Sequence, residues 1–477
     1  MRYTKIVCTI GPACNTEEKI AQLIDAGMNV ARMNFSHGTH ADHAANIARL
    51  RRVANRLNRP IAILQDLQGP KIRTGWLQDH KPVELKDGAE FVITTRAVPG
   101  DVREVNTTYD GLPGDVKTGD RILLDDGLLE LRVERVADGT DVHTRIVHGG
   151  ILKEHKGINL PGVLVNTPSL TDKDREDLAF GVQQQVEYVA LSFVRRAEDV
   201  ALIKRALVEL DPKAAKTPII AKLEKPAALD NLDSIVDIAD GVMVARGDLG
   251  VELSPQQVPI AQKRIIEAAN RKRKIVITAT QMLDSMIHNP IPTRAEVSDV
   301  ANAIFDGTDA VMLSGETASG QYPIESVKMM ASIAEEAEAH SGKYTRWEVP
   351  EEVTSDDSIA LARAASELAH DREVQAIAVF TLTGRNARVL SKTRPNVPIL
   401  AFTPDAKTHL RMSLMWGVIP YLVPHADSLE TMLAHVEAAL LLNSPVRPGQ
   451  QVILIAGLPP TKLVPANFIL LHTVGRS

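Results

Sequence analysis

Eight short apolar or β-branched runs punctuate the chain up to about residue 315, and helical periodicity fills most of the gaps between them. They are "TKIVCTI" from Thr4, "VARMNF" from Val30, "IAILQD" from Ile61, "YVALSF" from Tyr188, "PIIAKLE" from Pro218, "GVMVARGD" from Gly241, "IVITAT" from Ile275 and "AVMLSG" from Ala310. This rhythm constrains the fold more than any other feature, because strands alternating eight times with helices are the signature of a (β/α)8 barrel. The starts lie two to three dozen residues apart, with one exception: 127 residues separate Ile61 from Tyr188. A further unit is therefore inserted between strands three and four.

The insert, 70–168, has a different texture. Asp-Gly pairs begin at Asp87, Asp110, Asp126 and Asp138, and Gly-Asp pairs at Gly100, Gly114 and Gly119. Such pairs serve hairpin turns. Alternation in "LLELRVERV" puts Leu129, Leu131 and Val133 on one face. The insert is predicted to be a small β-barrel domain. It leaves the main barrel at "QDLQGPKIRTG", where strand three ends in Asp66, Gly69-Pro70 breaks the chain, and Lys71 and Arg73 follow. The barrel itself takes 1–69 and 169–342. After the polar stretch "SGKYTRWEVPEEVTSDD", the runs "AIAVFTLT", "VPILAFTP", "GVIPYLVP", "QQVILIAG" and "ANFILLHTV" predict a third unit over 343–477, an α/β domain with an open sheet. Two helix starts are also legible. "NTEEKIAQLIDAG" predicts a cap at Asn15, with Glu18 three residues on and Gly27 as the stop. "SLTDKDREDLAFGV" predicts a cap at Thr171 or Asp172.

Composition narrows the function classes. Hydrophobic residues make up 44%, enough for a large core. A net charge of −6 argues against a general nucleic-acid binder, and 4% aromatics disfavours a base-stacking surface. Cys8 and Cys14 fit neither a zinc motif nor a redox pair, and they exclude a disulfide framework, so a reducing cytoplasm is expected. No apolar run reaches the ~18–20 residues that span a bilayer, and "MRYTKIVCTIG" has no signal-peptide core.

Active sites of such barrels lie at the C-terminal ends of the strands. Polar residues accumulate there: Arg32, Asn34 and Ser36 on strand two, Asp66 on three, Lys222 and Glu224 on five, Arg246, Gly247 and Asp248 on six, Thr278 and Thr280 on seven, Ser314 and Glu316 on eight. A solvated charge explains any one of them, and Lys222–Glu224 suits a structural ion pair. Six strands converging on one end are not explained that way. The chemistry they suit is phosphoryl transfer. Glu224 and Asp248 come from neighbouring strands about 4.8 Å apart, a carboxylate pair fit for one Mg²⁺ or Mn²⁺. "ARGDLG" opens a short helix whose free N–H groups favour an anion. Arg32, Arg73 and Lys222 supply positive charge for a transferring phosphoryl group. His37, His40 and His43 in "HGTHADH" diverge over a helix start, which favours a surface helix over zinc.

The set "KIVCTIGPA", "ARMNFSHG", "DLQGPKIRTG", "KGINLPG", "IIAKLEKP", "MVARGDLGVEL", "ATQMLDSM" and "PTRAEVSDVANAIFDGTDAVMLSGETASGQYP" resembles the pyruvate kinase family along essentially the whole chain. The resemblance implies a catalytic barrel, a lid inserted after strand three, a C-terminal effector domain and a homotetramer. It implies phosphoryl transfer from phosphoenolpyruvate to ADP, giving pyruvate and ATP. By resemblance, Arg32 contacts the substrate phosphate, Lys222 stabilises the transferring phosphoryl group and the enolate, and Glu224 and Asp248 bind the divalent metal. Gly247, Asp248 and Thr280 border the substrate carboxylate, and Thr280 lies near the enolate's protonation route. Arg73, Lys156, His37 and Asn34 lie on the nucleotide side. Asn34, Ser36 and Asp66 match a monovalent-cation pocket.

The chain departs from the potassium-dependent pattern of the family, with Leu67 after the aspartate and Lys71 after Gly-Pro. It resembles the potassium-independent branch, in which the compact ammonium of Lys71 supplies the charge of K⁺. In the C-terminal part, Thr381, Thr383, Gly384, Arg385 and Asn386 match the family's sugar-phosphate loop. The later effector loop reads "LPPTKLVPANF", which departs from the Gly-rich pattern and speaks against a bisphosphate effector; a sugar monophosphate or a nucleotide is the alternative, and an effector-insensitive enzyme the competing reading. Two competing readings are a Mg²⁺-dependent barrel lyase or aldolase acting on phosphoenolpyruvate or pyruvate, and a catalytically dead binding protein on the same fold.

Overall fold

All eight runs become strands, and the strands close on one another as a parallel barrel. The computed structural model describes residues 2–163, 165, 167–341 and 353–475; residues 342–352 of the expected linker lie outside the described residues. The barrel strands are Lys5–Thr9, Val30–Asn34, Ala62–Asp66, Tyr188–Leu191, Ile219–Leu223, Gly241–Ala245, Ile275–Ala279 and Ala310–Leu313. Both faces are buried, which is why the runs read as continuous apolar segments. Outward residues such as Ile6, Met33, Ile63, Ala221, Val244 and Val311 pack beneath the helices. Inward residues such as Val7, Val30, Leu64, Ile220, Met243 and Met312 fill the interior.

Side chains alternate along a strand, so the inward set continues to Thr9, Arg32, Asp66 and Lys222. The same parity corrects one expectation. Thr278 shares its face with outward-pointing Val276, and its hydroxyl lies 3.0 Å from Thr308 Oγ1. It belongs to the helix-facing shell, not to the barrel mouth.

Helix caps follow the sequence signals with one shift. Helix Glu17–Ala26 is capped by Thr16, whose hydroxyl accepts from the Lys19 N–H at 3.3 Å, and not by Asn15; Gly27, at φ 121°, ends it. Helix Asp172–Gln183 is capped by Thr171 in a reciprocal box with Asp174. Helix His40–Arg56 is capped by Thr39 with Asp42.

The insert folds around its own core of Phe91, Ile93, Leu131, Val133, Val142 and Ile146. A six-stranded sheet and a two-stranded ribbon enclose it. Its hairpins turn where Asp-Gly predicts: Asp126 and Gly127 have φ 57° and 90°, and Asp138 and Gly139 have 52° and 68°. The chain leaves the barrel through Gly69, at φ 70°. A Cβ there would lie 2.8 Å from Ser192 Cβ and from Phe193 Cδ2, so only glycine fits. The Gly69 N–H is anchored to Asp174 Oδ1 at 3.0 Å.

The C-terminal sheet has five strands in the order Val418–Leu422, Ile399–Thr403, Ala376–Phe380, Gln451–Ala456, Phe468–Thr473, with only the last antiparallel to its neighbour. This domain seats against the N-terminal ends of the barrel strands. Lys5 Nζ donates to Val418 O at 2.7 Å, and Tyr188 Oη to Arg411 O at 2.7 Å. Asp309, just before strand eight, holds both Lys392 and Arg394, the latter at 2.9 Å. The opposite end of the barrel is left for the polar residues and the lid.

Lys5 gives a pH test of this interface. Burial, reinforced by Arg2 and opposed by Glu338, pulls its amine from 10.5 down to about 7. The unfolded chain keeps that proton up to about pH 10.5, so stability rises with pH across the window between the two values. The stability of the parent relative to Lys5→Met should therefore grow between pH 7 and 10.5, at up to about 1.4 kcal/mol per pH unit. Denaturation midpoints measured across that range check it; a pH-independent difference contradicts it.

Candidate active site

Inward parity brings four charges together at the barrel mouth. Asp66, with no exposed surface, accepts from Arg32 Nε at 2.7 Å and Arg32 Nη2 at 2.6 Å through Oδ2. Its Oδ1 lies 3.2 Å from Lys222 Nζ. Lys222 also reaches Glu224 Oε1 at 2.9 Å and donates to Ser192 Oγ at 2.8 Å. Arg32 Nη1 donates to Thr9 Oγ1 at 2.9 Å. Two cations meet two carboxylates, so the buried quartet is neutral. Arg32, Lys222 and Glu224 each gain a further hydrogen bond, to Thr9, Ser192 and the Phe193 N–H, which helps make buried charge tolerable.

The titration behaviour follows from this packing. Burial alone would raise the Asp66 carboxyl, but Lys222 and Arg32 outweigh it and hold it below the usual carboxylate range. Burial alone would lower the Lys222 ammonium, yet Asp66 and Glu224 raise it, so it stays charged. Glu224 moves the other way: burial raises it and the like charge of Asp248 adds to this, against the pull of Lys222. The Phe193 N–H donates to Glu224 Oε2 at 2.7 Å.

Glu224 and Asp248 therefore form a repelling carboxylate pair at the rim of a neutral quartet. A hard divalent cation relieves that repulsion, and one or two carboxylates completed by phosphate oxygens and water is the donor set Mg²⁺ favours. The residues fit such an ion. The histidines of the helix start are turned to other partners. His43 is buried and stacked on Phe35 at 4.1 Å, and His40 is turned to Asp177 at 2.7 Å.

Asp248 sits in the first turn of helix Arg246–Glu252, directly after strand six. The Gly247 N–H donates to Thr280 Oγ1 at 2.7 Å, and that hydroxyl donates to Ala279 O at 2.6 Å. Thr280 has φ 68°, a costly conformation for a β-branched residue. Such strain persists where the surroundings over-determine a functional geometry. Arg246 braces this corner by donating to Asp299 Oδ1 at 2.6 Å and Thr280 O at 2.9 Å. Glu316 is a brace too: it accepts from the N–H groups of Ser314 and Leu283.

Of the cations on the inserted domain, Lys71 reaches this site. Lys71 Nζ lies 3.7 Å from Asp248 Oδ1. Arg73 donates to His155 O at 3.0 Å, and Lys156 pairs with Asp125 at 2.8 Å. Burial lowers the His37 imidazole, and Arg73, Lys71 and Arg32 lower it further. Asn34 Oδ1 accepts from the Ser36 N–H at 3.1 Å. In the C-terminal domain, Thr381, Thr383, Arg385 and Asn386 line a cavity of about 230 Å³, with Lys462 and Pro465 on its other side. Gly384, at φ 79°, precedes helix Arg385–Ser391, and its N–H donates to Thr381 Oγ1 at 3.0 Å. Arg385 is engaged by Asp356 and, at 2.9 Å, by Ser358 Oγ.

The structure adds residues that were not singled out from the sequence. Ser192 continues the inward parity of Tyr188 and Ala190, so period two alone could have found it. Thr9 was available by the same rule. The Phe193 N–H had no sequence signal, and Arg246, one of the strand-end candidates, serves as a brace.

A lidded (β/α)8 barrel with a charge-balanced quartet beside a metal-ready carboxylate pair defines a phosphate-handling enzyme. Comparison gives the family. Residues 1–327 match the model for the pyruvate kinase barrel domain, and residues 359–472 that for the pyruvate kinase alpha/beta domain. A pyruvate kinase of Geobacillus stearothermophilus is 45% identical over 99% of this chain and 80% of its own length. One from Staphylococcus aureus is 45% identical over 100% of this chain and 81% of its own. The crystal structure of a pyruvate kinase from Cryptosporidium parvum superposes with a TM-score of 0.90 at 36% identity, covering 99% of this chain and 96% of that one. The chain belongs to the pyruvate kinase family, and is a phosphotransferase.

Lys222→Met should lower kcat by about 10³-fold or more, as losing a buried donor to developing charge does. Ser192→Ala leaves the cation in place but frees it to move, so kcat should fall about tenfold with KM little changed. Steady-state kinetics check both; a Lys222→Met enzyme with normal turnover would overturn this reading of the site.

Proposed function

We propose that the barrel mouth transfers the phosphoryl group of phosphoenolpyruvate to ADP through the residues just described. The observation that carries this is the Arg32–Asp66–Lys222–Glu224 quartet, with Asp248 beside it beneath a lid bearing Arg73 and Lys156. Glu224 and Asp248 hold Mg²⁺ or Mn²⁺, which when bound neutralises charge on phosphate and carboxylate oxygens. Lys222, kept cationic by Asp66 and Glu224, faces the transferring phosphoryl group and the enolate oxygen left behind. Arg32, fixed by Asp66 and Thr9, orients the donor phosphate. Gly247, Asp248 and Thr280 border the donor carboxylate. As the bond from phosphorus to the enol oxygen breaks and that to ADP forms, the enolate takes a proton at carbon along the Thr280 side, giving pyruvate. Arg73, Lys156, His37 and Asn34 receive the nucleotide. A coupled assay checks the reaction class: pyruvate should appear only when ADP is present, whereas ADP-independent formation would favour a lyase.

Lys71 takes the place of a monovalent cation beside Asn34, Ser36 and Asp66. Its support is its position at the lid base, where its charge acts on His37, the neighbour of Ser36. Activity in Na⁺-only buffer should match that in K⁺, and Lys71→Glu should create a K⁺ requirement; strong K⁺ activation of the parent enzyme would contradict the assignment. The C-terminal cavity takes a phosphorylated metabolite, a sugar monophosphate or a nucleotide, with Thr381, Thr383, Gly384, Arg385 and Asn386 around its phosphate. The catalytic barrel spans 1–69 and 169–342, the lid 70–168 and the effector domain 343–477, and the enzyme works as a homotetramer.

A further inference from the structure

Helix Arg246–Glu252 carries two carboxylates four residues apart, Asp248 and Glu252, which therefore share a face. That face is turned to the lid. Asp248 meets Lys71 on the limb of chain that leaves the barrel, at 3.7 Å. Glu252 meets Asn159 on the limb that returns, accepting from its Nδ2 at 3.1 Å. The same Glu252 oxygen accepts from Lys225 Nζ at 2.5 Å, and Lys225 directly follows Glu224. Lys225 also lies over the Phe193 ring, 5.7 Å from its centre.

Three segments thus meet at one carboxylate that is almost fully buried. They are the helix bearing Asp248, the strand end bearing Glu224, and the lid. Asn159 is itself buried and belongs to the strand Ile158–Asn159, which pairs with Leu123 and Leu124 at the edge of the lid sheet. Neither the barrel chemistry nor the lid's own core calls for a carboxylate there. Asn159 makes one side-chain hydrogen bond among those described, and it crosses from lid to barrel.

We propose that Glu252 is a positioning residue: through Asn159 it latches the lid sheet to the helix and strand end that carry the two metal-binding carboxylates. The latch sets how far the lid stands from the barrel mouth, and so how often Arg73 and Lys156 face a bound nucleotide. This last step rests on their assignment to the nucleotide; the latch itself does not.

The test uses the full-length enzyme with donor and acceptor dyes at Lys117→Cys on the lid and Glu209→Cys on the barrel. The native cysteines are buried and leave these labels specific. Asn159→Ala removes the lid tie but keeps Glu252 paired with Lys225. It should broaden the lid–barrel distance distribution toward open states and raise KM for ADP about tenfold, as the loss of a hydrogen bond to a charged group does. KM for phosphoenolpyruvate should stay within about twofold. Asn159→Asp sets two carboxylates against each other and should open the lid further; adding Glu252→Gln restores a donor and should bring KM for ADP back to within about twofold of the parent. An unchanged distance distribution in Asn159→Ala overturns the latch, as does failure of the double variant to recover. A lid that opens without any change in KM for ADP supports the latch and instead refutes the nucleotide assignment of Arg73 and Lys156.

Discussion

Everything at the barrel mouth is arranged around the buried carboxylate of Asp66. It draws Arg32 from strand two and Lys222 from strand five to one point, and those strands are not neighbours. Without it, two cations would be left in a region with almost no water, at a cost of several kcal/mol. With it, Lys222 keeps its charge although its side chain is largely buried, and it stands 2.9 Å from Glu224. The backbone just beyond Asp66 is tied down as well. Ser192 Oγ donates to Leu67 O at 2.6 Å, and the Gly69 N–H is held by Asp174. The ion network and the lid hinge are therefore anchored by the same few residues.

The two ends of the barrel show opposite solutions to burying polar groups. At the N-terminal end, charged groups join domains: Lys392 and Arg394 close on Asp309, and Lys5 is spent on a carbonyl of the C-terminal sheet. At the C-terminal end, the quartet is balanced but its rim is not. Asp248 adds a further negative charge that acts on Glu224, and the lid brings Lys71 to 3.7 Å from Asp248. A site that is neutral inside and unbalanced at its edge is suited to bind a metal together with an anion, since neither binds well without the other.

Much of this was legible before any coordinate. Their accumulation at strand ends singled out Arg32, Asp66, Lys222 and Glu224, and period-two alternation, enforced by backbone geometry, turns them to the inner face. It also held the information for Ser192 and Thr9, although a single hydroxyl gives little reason to look. Thr278 was misplaced because its nearness to the strand end outweighed its parity, which sets it beside outward-pointing Val276; Thr280 reaches the mouth through a left-handed turn. The helix cap at Thr16 in place of Asn15 is a contest between adjacent good caps, settled by which side chain reaches the Lys19 N–H. The Phe193 contact is made by a backbone N–H, and Arg246 reaches across to Asp299 on another helix; no local side-chain pattern encodes either.

From sequence alone come the barrel, its interrupted third crossover, the open C-terminal sheet and the residue types at the strand ends, since all of these depend on local periodicity and short-range turn chemistry. Tertiary structure decides which charges actually meet. Lys71 stands nearest Asp248, Arg385 is already engaged by Asp356, and Glu252 reaches across to the lid. Those pairings are between residues far apart in the chain, and Coulomb energy depends on the final distance and the surrounding burial, neither of which is written in any one segment.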